Sequence, residues 1–118
     1  MTLDEYFAGY ESARLLFDAL QGLIQKFELA EPRVSKSQVA FYRKKPFAWV
    51  WIPEKHLHRK AAPLVLSLSF PQQDPSPRWK EIVEPARGRF MRHLEIYSSS
   101  DINDEVSNWL RLAWELAE

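Results

Sequence analysis

Cysteine is absent from this sequence, and that absence excludes several classes of site at once. Without thiols the chain cannot form a disulfide framework, a thiolate zinc site, an iron–sulfur cluster or a cysteine nucleophile. Glycine is scarce as well, since only Gly9, Gly22 and Gly88 occur. The sequence therefore lacks the glycine-rich loops of P-loop and dinucleotide-binding proteins, and it has no G-x-S-x-G elbow of the kind that many hydrolases use.

Long apolar runs and a net charge are also missing. No apolar run approaches the roughly 18 residues that a membrane-spanning helix needs, and the start of the chain has neither the basic region nor the apolar stretch of a signal peptide. The 118 residues are 46% hydrophobic, and 16 basic and 16 acidic side chains give a formal net charge of zero. A chain of this length buries about two thirds of its unfolded surface without a metal or disulfide. We therefore expect one domain over residues 1–118, located in the cytoplasm and not attached to a membrane.

Two stretches have the periodicity of amphipathic helices. Over residues 10–28 the apolar side chains recur at steps of three and four, which places them on one helix face. A second such stretch runs from residue 100 to 117, with a Ser or Asp available as the N-cap and acidic residues in the first turn. The capping-box spacing of Thr2 and Glu5 indicates a further helical element at the N-terminus, which Gly9 would interrupt.

The middle of the chain has the two-residue alternation of strands. Strands are predicted over residues 33–36, 39–42, 47–52, 64–70 and 90–97, a polar loop over 53–62, and a short helical turn over 79–83. The connections are short, which favours antiparallel pairing because parallel pairs need long crossovers. The predicted fold class is α+β, with one antiparallel sheet of about five strands and an N-terminal and a C-terminal helix packed on one face. Both alternating sets of strand residues are largely apolar, so the sequence leaves open which face the helices cover.

Several short patterns resemble a known family. They are V-S-K-S-Q-V-A-F-Y-R at 34–43, F-A-W-V at 47–50, L-S-L at 66–68, R-W-K at 78–80, H-L-E at 93–95, and D-E-V at 104–106 running into W-L at 109–110. Together they resemble the bacterial domain-of-unknown-function family 5655 over residues 10–117. The resemblance implies a small α+β domain, sometimes the C-terminal module of longer proteins, and it brings no established activity, cofactor or catalytic residue. The layout is also similar to the YjbR-like fold, for which DNA binding has been suggested, and this similarity is one of fold only.

The neutral total hides an uneven distribution of charge. Residues 1–31 hold two basic and six acidic side chains, residues 32–93 thirteen basic and four acidic, and residues 94–118 one basic and six acidic. One interpretation is that two acidic helices neutralise a basic sheet within the fold. The other is that the basic segment engages an anionic partner, since clustered Lys and Arg supply the long-range attraction that nucleic-acid binding needs.

A nucleic acid, or another anionic ligand, is the partner that we consider first. Aromatic residues lie among the basic ones, and their rings can stack on bases. Prolines stiffen the loop over 72–80, which could present its Trp as a recognition tip or fold it back over the core. The candidate residues of the anion- or nucleic-acid-binding surface are Lys36, Arg43, Lys44, Arg78, Trp79, Lys80 and His93.

Two other functions remain open. A small-ligand-binding protein or enzyme would hold His93, Arg43 and Lys36 in a pocket between the sheet and the helices. A structural domain with no catalytic role would instead pair the apolar second face of its sheet with a copy of itself, as a homodimer.

A metal site deserves separate consideration because of one local pattern. Glu54, His56 and His58 alternate, so an extended backbone would point all three in one direction, where they could ligate a divalent ion. The Lys and Arg residues around them repel cations. We therefore predict no metal and no cofactor, and we assign no catalytic residue.

Overall fold

A computed structural model describes residues 1–57 and 61–118 of the chain. The helices are α1 (Leu3–Phe7), α2 (Glu11–Ile24), α3 (Glu54–Leu57) and α4 (Asp104–Leu116), with a 3-10 turn at Ser99–Asp101. The strands are β1 (Glu31–Val34), β2 (Val39–Tyr42), β3 (Pro46–Trp51), β4 (Leu64–Phe70), β5 (Glu81–Ala86) and β6 (Arg89–Ile96).

The strands form one sheet in the order β1-β2-β3-β4-β6-β5, and every neighbouring pair is antiparallel. The predicted α+β class, with an antiparallel sheet and helices toward both ends of the chain, is confirmed. The described sheet has six strands where about five were predicted.

The strand that the sequence did not predict is β5. The expected helical turn over 79–83 is wrong, because the Lys80 N–H donates to the His93 carbonyl oxygen at 2.8 Å and the chain pairs with β6 from Glu81 onward. β5 lies at the edge of the sheet, and Pro85 is tolerated there because an edge strand has backbone N–H groups that need no ladder partner.

One face of the sheet, which we call the covered face, packs against α2 and α4. Its most buried strand residues are at most 2% exposed, and they are Val39, Phe41, Ala48, Val50, Leu64, Leu66, Leu68, Leu94 and Ile96. Phe17 of α2 stacks on Phe41 with ring centroids 6.0 Å apart, and Val106 and Leu110 of α4 are fully buried. Complete burial of a side chain of this size contributes about 1.5–3 kcal/mol, so this layer is the main source of stability.

The helix ends differ by a few residues from their predicted positions. The break at Gly9 is confirmed, and this residue has a φ of +83°, which glycine adopts without steric strain. α2 ends at Ile24 and not near Leu29, because the N–H groups of Lys26 and Phe27 bond to carbonyl oxygens three residues back instead of four. α4 begins at Asp104, where the Asn103 side chain accepts a hydrogen bond from the Val106 N–H as the N-cap.

The segment after β3 contains α3 where a polar loop was predicted. A helical backbone over Glu54–Leu57 does not give the extended arrangement that the metal-site hypothesis required of Glu54 and His56. His58, the third member of that pattern, lies outside the described residues. Within residues 1–57 and 61–118, no three His, Asp or Glu side chains are grouped closely enough to hold a metal ion.

Candidate functional site

The face of the sheet opposite α2 and α4, which we call the open face, carries most of the remaining strand side chains. The strand register places six of them in one row across the sheet. In sheet order they are Arg33, Ala40, Trp49, Ser67, His93 and Glu81. A second row contains Trp51, Val65 and Glu95. The open face therefore combines two indole rings, an imidazole and charged groups at its margins.

Trp51 lies over the neighbouring strand β4. Its indole N–H donates to the Ser67 hydroxyl at 3.0 Å, which is a diagonal contact because Trp51 pairs with Val65 in the ladder. Val65 and Ser67 are only 3% and 2% exposed although they lie on the face away from α2 and α4. The Trp51 ring helps to explain that burial, and because Trp51 itself is only half-buried, part of the ring remains accessible to a ligand.

His93 stands beside this indole. The Ser67 hydroxyl and the His93 Nδ1 are 2.6 Å apart, and the imidazole and indole planes meet at 89° with centroids 6.3 Å apart. Burial lowers the pKa of His93 below its ordinary value, and the nearby Glu81 carboxylate partly opposes that shift. The ring is therefore held in one orientation and favours its neutral form.

Cationic side chains contact the aromatic rings of the open face. The Arg33 guanidinium lies 3.9 Å from the centre of the Tyr42 ring, and the Arg89 guanidinium lies 5.9 Å from that of Trp49. On the β5–β6 side two acidic residues, Glu81 and Glu95, change the balance of charge. The cations beside the aromatic rings therefore come from β1 and the start of β6, and Arg33 also lies 3.8 Å from the Glu31 carboxylate.

Two of the predicted site residues, Arg78 and Trp79, lie on the helix side of the sheet. Arg78 pairs with Glu105 at 2.8 Å and also donates to the Asp101 carbonyl oxygen, which ties the loop to the start of α4. Trp79 stacks against Trp109 with ring centroids 4.2 Å apart. Its exposed fraction is 7%, so it folds back over the core, which is one of the two arrangements that the sequence left open.

The buried Arg92 side chain accounts for the path of the loop between β4 and β5. It lies on the covered face and is 3% exposed, with its guanidinium 3.9 Å from the Phe70 ring. It donates to the Gln72 carbonyl oxygen at 2.8 Å and faces Asp74 at 3.9 Å. A buried guanidinium needs such partners, so the loop that follows β4 is drawn over it.

The other predicted residues are spread over the fold. Arg43 stacks on Trp114 at 3.8 Å, and the Lys44 N–H donates to the Ala117 carbonyl oxygen, so both lie beside the end of α4. Lys36 lies in the turn between β1 and β2, at the other end of β2. Lys80, just before β5, lies beside His93 of β6, since the Lys80 N–H donates to the His93 carbonyl oxygen at 2.8 Å, and the Lys80 amine pairs with Glu95 at 3.3 Å.

The hypothetical pocket around His93, Arg43 and Lys36 would therefore need residues from three separate places. A cleft of about 470 Å³ does exist near the Arg43 end of the sheet, between the β2–β3 hairpin, the start of β6 and the end of α4. Its lining includes Lys45, Phe47, Phe70, Arg89 and Leu116 and none of those three residues.

The Ser67–His93 contact does not make Ser67 a suitable nucleophile. Its hydroxyl oxygen accepts the Trp51 N–H, which withdraws electron density, and the side chain is covered by that indole. A nucleophile must be reached by the substrate and must face a site for the developing oxyanion. The arrangement is better suited to fixing the orientation of Trp51 and His93.

From the sequence, Trp49 and Trp51 were expected in the aromatic surface, and Arg33 and Arg89 were counted among the basic residues, but none of the four was named as a candidate site residue. Ser67 was not anticipated. The signal for Ser67 was the L-S-L-S-F alternation in β4, where a hydroxyl interrupts an apolar strand on one face only. Its link to His93 depends on the β4–β6 register, which local sequence does not reveal.

None of the described helices is both long enough and apolar enough to cross a membrane. No curated protein and no solved structure matches the chain significantly. The family model described as "Domain of unknown function (DUF5655)" matches residues 3–117, which is nearly the whole chain. The chain therefore belongs to the DUF5655 family.

Proposed function

We propose that the open face binds a single strand of nucleic acid. The observation that carries this proposal is the placement of Trp49 and Trp51, two residues apart on a central strand, on the face opposite α2 and α4. Aromatic rings on such a surface stack on successive bases without regard to sequence, because every base has a π-face. A bacterial, cytoplasmic location, as the sequence predicts, would bring this face into contact with cellular nucleic acid.

The spacing of the two indoles suits this role. A strand rises about 3.4 Å per residue, so residues two apart on one face are separated by about 7 Å. That distance leaves room for one base on each ring when the bound strand is unstacked, as single strands are when they bind aromatic surfaces. The platform is also firm, since the Trp51 ring is held by Ser67.

The charges favour one path for the bound strand. Arg33 and Arg89 flank the indoles, whereas Glu81 lies at the β5 edge and Glu95 is paired with Lys80. Phosphates are attracted to the two arginines and repelled by Glu81. We therefore expect the strand to cross β1 to β4, to reach β6, and to avoid β5.

A titration of labelled mixed-sequence oligonucleotides tests this proposal. We expect saturable binding of single strands that weakens as salt is raised, with weaker binding of duplexes. Loss of base stacking costs about 1–3 kcal/mol, so Trp49→Ala and Trp51→Ala should each reduce affinity roughly 5- to 150-fold. Circular dichroism on each variant shows whether it remains folded.

Charge variants provide the matched control. Arg33→Glu and Arg89→Glu should weaken binding, while Arg111→Glu should not, because Arg111 is an exposed residue of α4 on the far side of the sheet. Equal losses in all three variants would indicate non-specific attraction to the whole protein and contradict the proposal. Absence of binding by the wild-type protein at low salt would also contradict it, and sedimentation would then show whether the protein forms a dimer.

A further inference from the structure

The hydroxyl of Ser67 has two polar neighbours on the open face, and their chemistry fixes its orientation. The indole nitrogen of Trp51 can only donate a hydrogen bond, so the Ser67 oxygen is the acceptor there. Ser67 is 2% exposed, and a buried hydroxyl hydrogen without an acceptor is costly. Among the described residues, the acceptor within hydrogen-bond distance is His93 Nδ1, at 2.6 Å. The arrangement that satisfies every group therefore has Ser67 donating to Nδ1.

This arrangement determines the tautomer of His93. A neutral imidazole that accepts at Nδ1 carries its hydrogen on Nε2. The opposite tautomer, with hydrogen on Nδ1, would make Ser67 accept two bonds and leave its own hydrogen buried and unpaired. Burial also lowers the pKa of His93, which agrees with a ring that is neutral near pH 7, although Glu81 opposes part of the shift.

Nε2, which carries the hydrogen of the neutral ring, points away from Ser67. Nδ1 and Nε2 lie on opposite sides of Cε1, so a ring whose Nδ1 faces Ser67 directs Nε2 away from that residue. In the part of the chain that the structure describes, no group accepts a hydrogen bond from Nε2. The imidazole is perpendicular to the Trp51 indole and half-buried beside it, so the His93 ring borders a base that stacks on Trp51.

We infer that the two hydrogen bonds joining Trp51, Ser67 and His93 hold the His93 Nε2–H as a fixed donor to an oxygen of the nucleotide that stacks on Trp51. This inference rests on the proposed function, and it makes His93 a specificity-determining contact of that site. The oxygen belongs to a base carbonyl or to a phosphate, and both accept a hydrogen bond from a neutral imidazole.

The tautomer is measured first, on the free protein, by long-range proton–nitrogen NMR of the imidazole. The spectrum should show hydrogen on Nε2 in the wild type and a mixture of tautomers in Ser67→Ala. A wild-type ring with hydrogen on Nδ1 overturns the inference, whether or not the protein binds nucleic acid.

Two variants with amide side chains then test the contact itself. Gln in place of His93 carries its amide near the position of Nε2, whereas Asn reaches only the position of Nδ1. His93→Gln should bind oligothymidylate within about threefold of the wild type, and His93→Asn should bind it about three- to tenfold more weakly, the effect of one hydrogen bond. Wild-type affinity in His93→Asn overturns the inference and leaves the proposed function intact, whereas absence of binding by the wild type overturns the proposed function.

An abasic oligonucleotide of the same length separates the two sources of oxygen. The loss caused by His93→Asn should disappear on the abasic strand if the acceptor is a base carbonyl, and it should persist if the acceptor is a phosphate. Circular dichroism on both variants confirms that they are folded before affinities are compared.

Discussion

Replacement of Trp79 by Ala tests whether this residue belongs to the core or to a recognition surface. The indole is 7% exposed and stacks on Trp109 at 4.2 Å, and its N–H donates to Asp74 at 2.9 Å. Truncation of a buried Trp to Ala costs about 3–5 kcal/mol in lost burial and cavity formation. Against a total of about 5–15 kcal/mol for a typical domain, that loss is large.

A second variant separates packing from hydrogen bonding. Trp79→Phe keeps an aromatic ring against Trp109 but loses the bond to the Asp74 carboxylate, so we expect a smaller loss of about 1–3 kcal/mol. Because Asp74 also faces the buried Arg92, part of the cost will be the weaker hold on that guanidinium. We therefore expect Trp79→Ala to have a considerably lower free energy of unfolding than Trp79→Phe.

Urea unfolding followed by circular dichroism measures both variants, since fluorescence would itself change when an indole is removed. The slope of the unfolding free energy against urea should stay constant if only stability changes. A loss below about 1 kcal/mol for Trp79→Ala would refute the packing argument, because it lies under the range for a buried Trp. If that variant, while still folded, also lost oligonucleotide binding, Trp79 would be a recognition residue.

Three further predictions concern stability. Tyr6→Phe should cost about 1–3 kcal/mol in urea unfolding, because the Tyr6 hydroxyl donates to the Ser37 carbonyl oxygen and accepts from the buried Ile52 N–H; an unchanged midpoint would refute this. Gly88→Ala should cost about 1 kcal/mol, since Gly88 has a φ of +75°, and a stabilised variant would contradict the strain argument. The pKa of His93 is lowered in the folded state, so the unfolded state takes up the proton first as the pH falls. The free energy of unfolding should therefore decrease as the pH drops below about 6.5, the ordinary pKa of histidine, and it should decrease less in His93→Gln.

The layers of the fold could be predicted from the sequence because the two main helices and the central strands have strong periodicity. β5 could not, because its side chains are exposed on both faces apart from Ile82, so it has no clear alternation of apolar and polar residues. Its strand conformation comes from pairing with β6, which is a tertiary effect. Edge strands of this kind carry little of the hydrophobic signal from which strands are predicted.

The candidate site could be predicted only in part. The charge distribution and the presence of aromatic residues in the basic segment were visible, but Arg78 and Trp79 were grouped with His93 although they lie on opposite sides of the sheet. Both faces of β3 and β4 are rich in apolar residues, and only the packing of the helices decides which face is left open. The Ser67–His93 contact joins residues 26 apart and depends on strand register.

An NMR titration of the labelled protein with a single-stranded oligonucleotide tests directly whether the open face binds nucleic acid. We predict shifts concentrated on the open face, including the indole N–H signals of Trp49 and Trp51, with little change in Trp109 and Trp114 of α4. Shifts confined to the helices or to the loop over 72–80, or no shift at low salt, would contradict the claim that the open face binds nucleic acid.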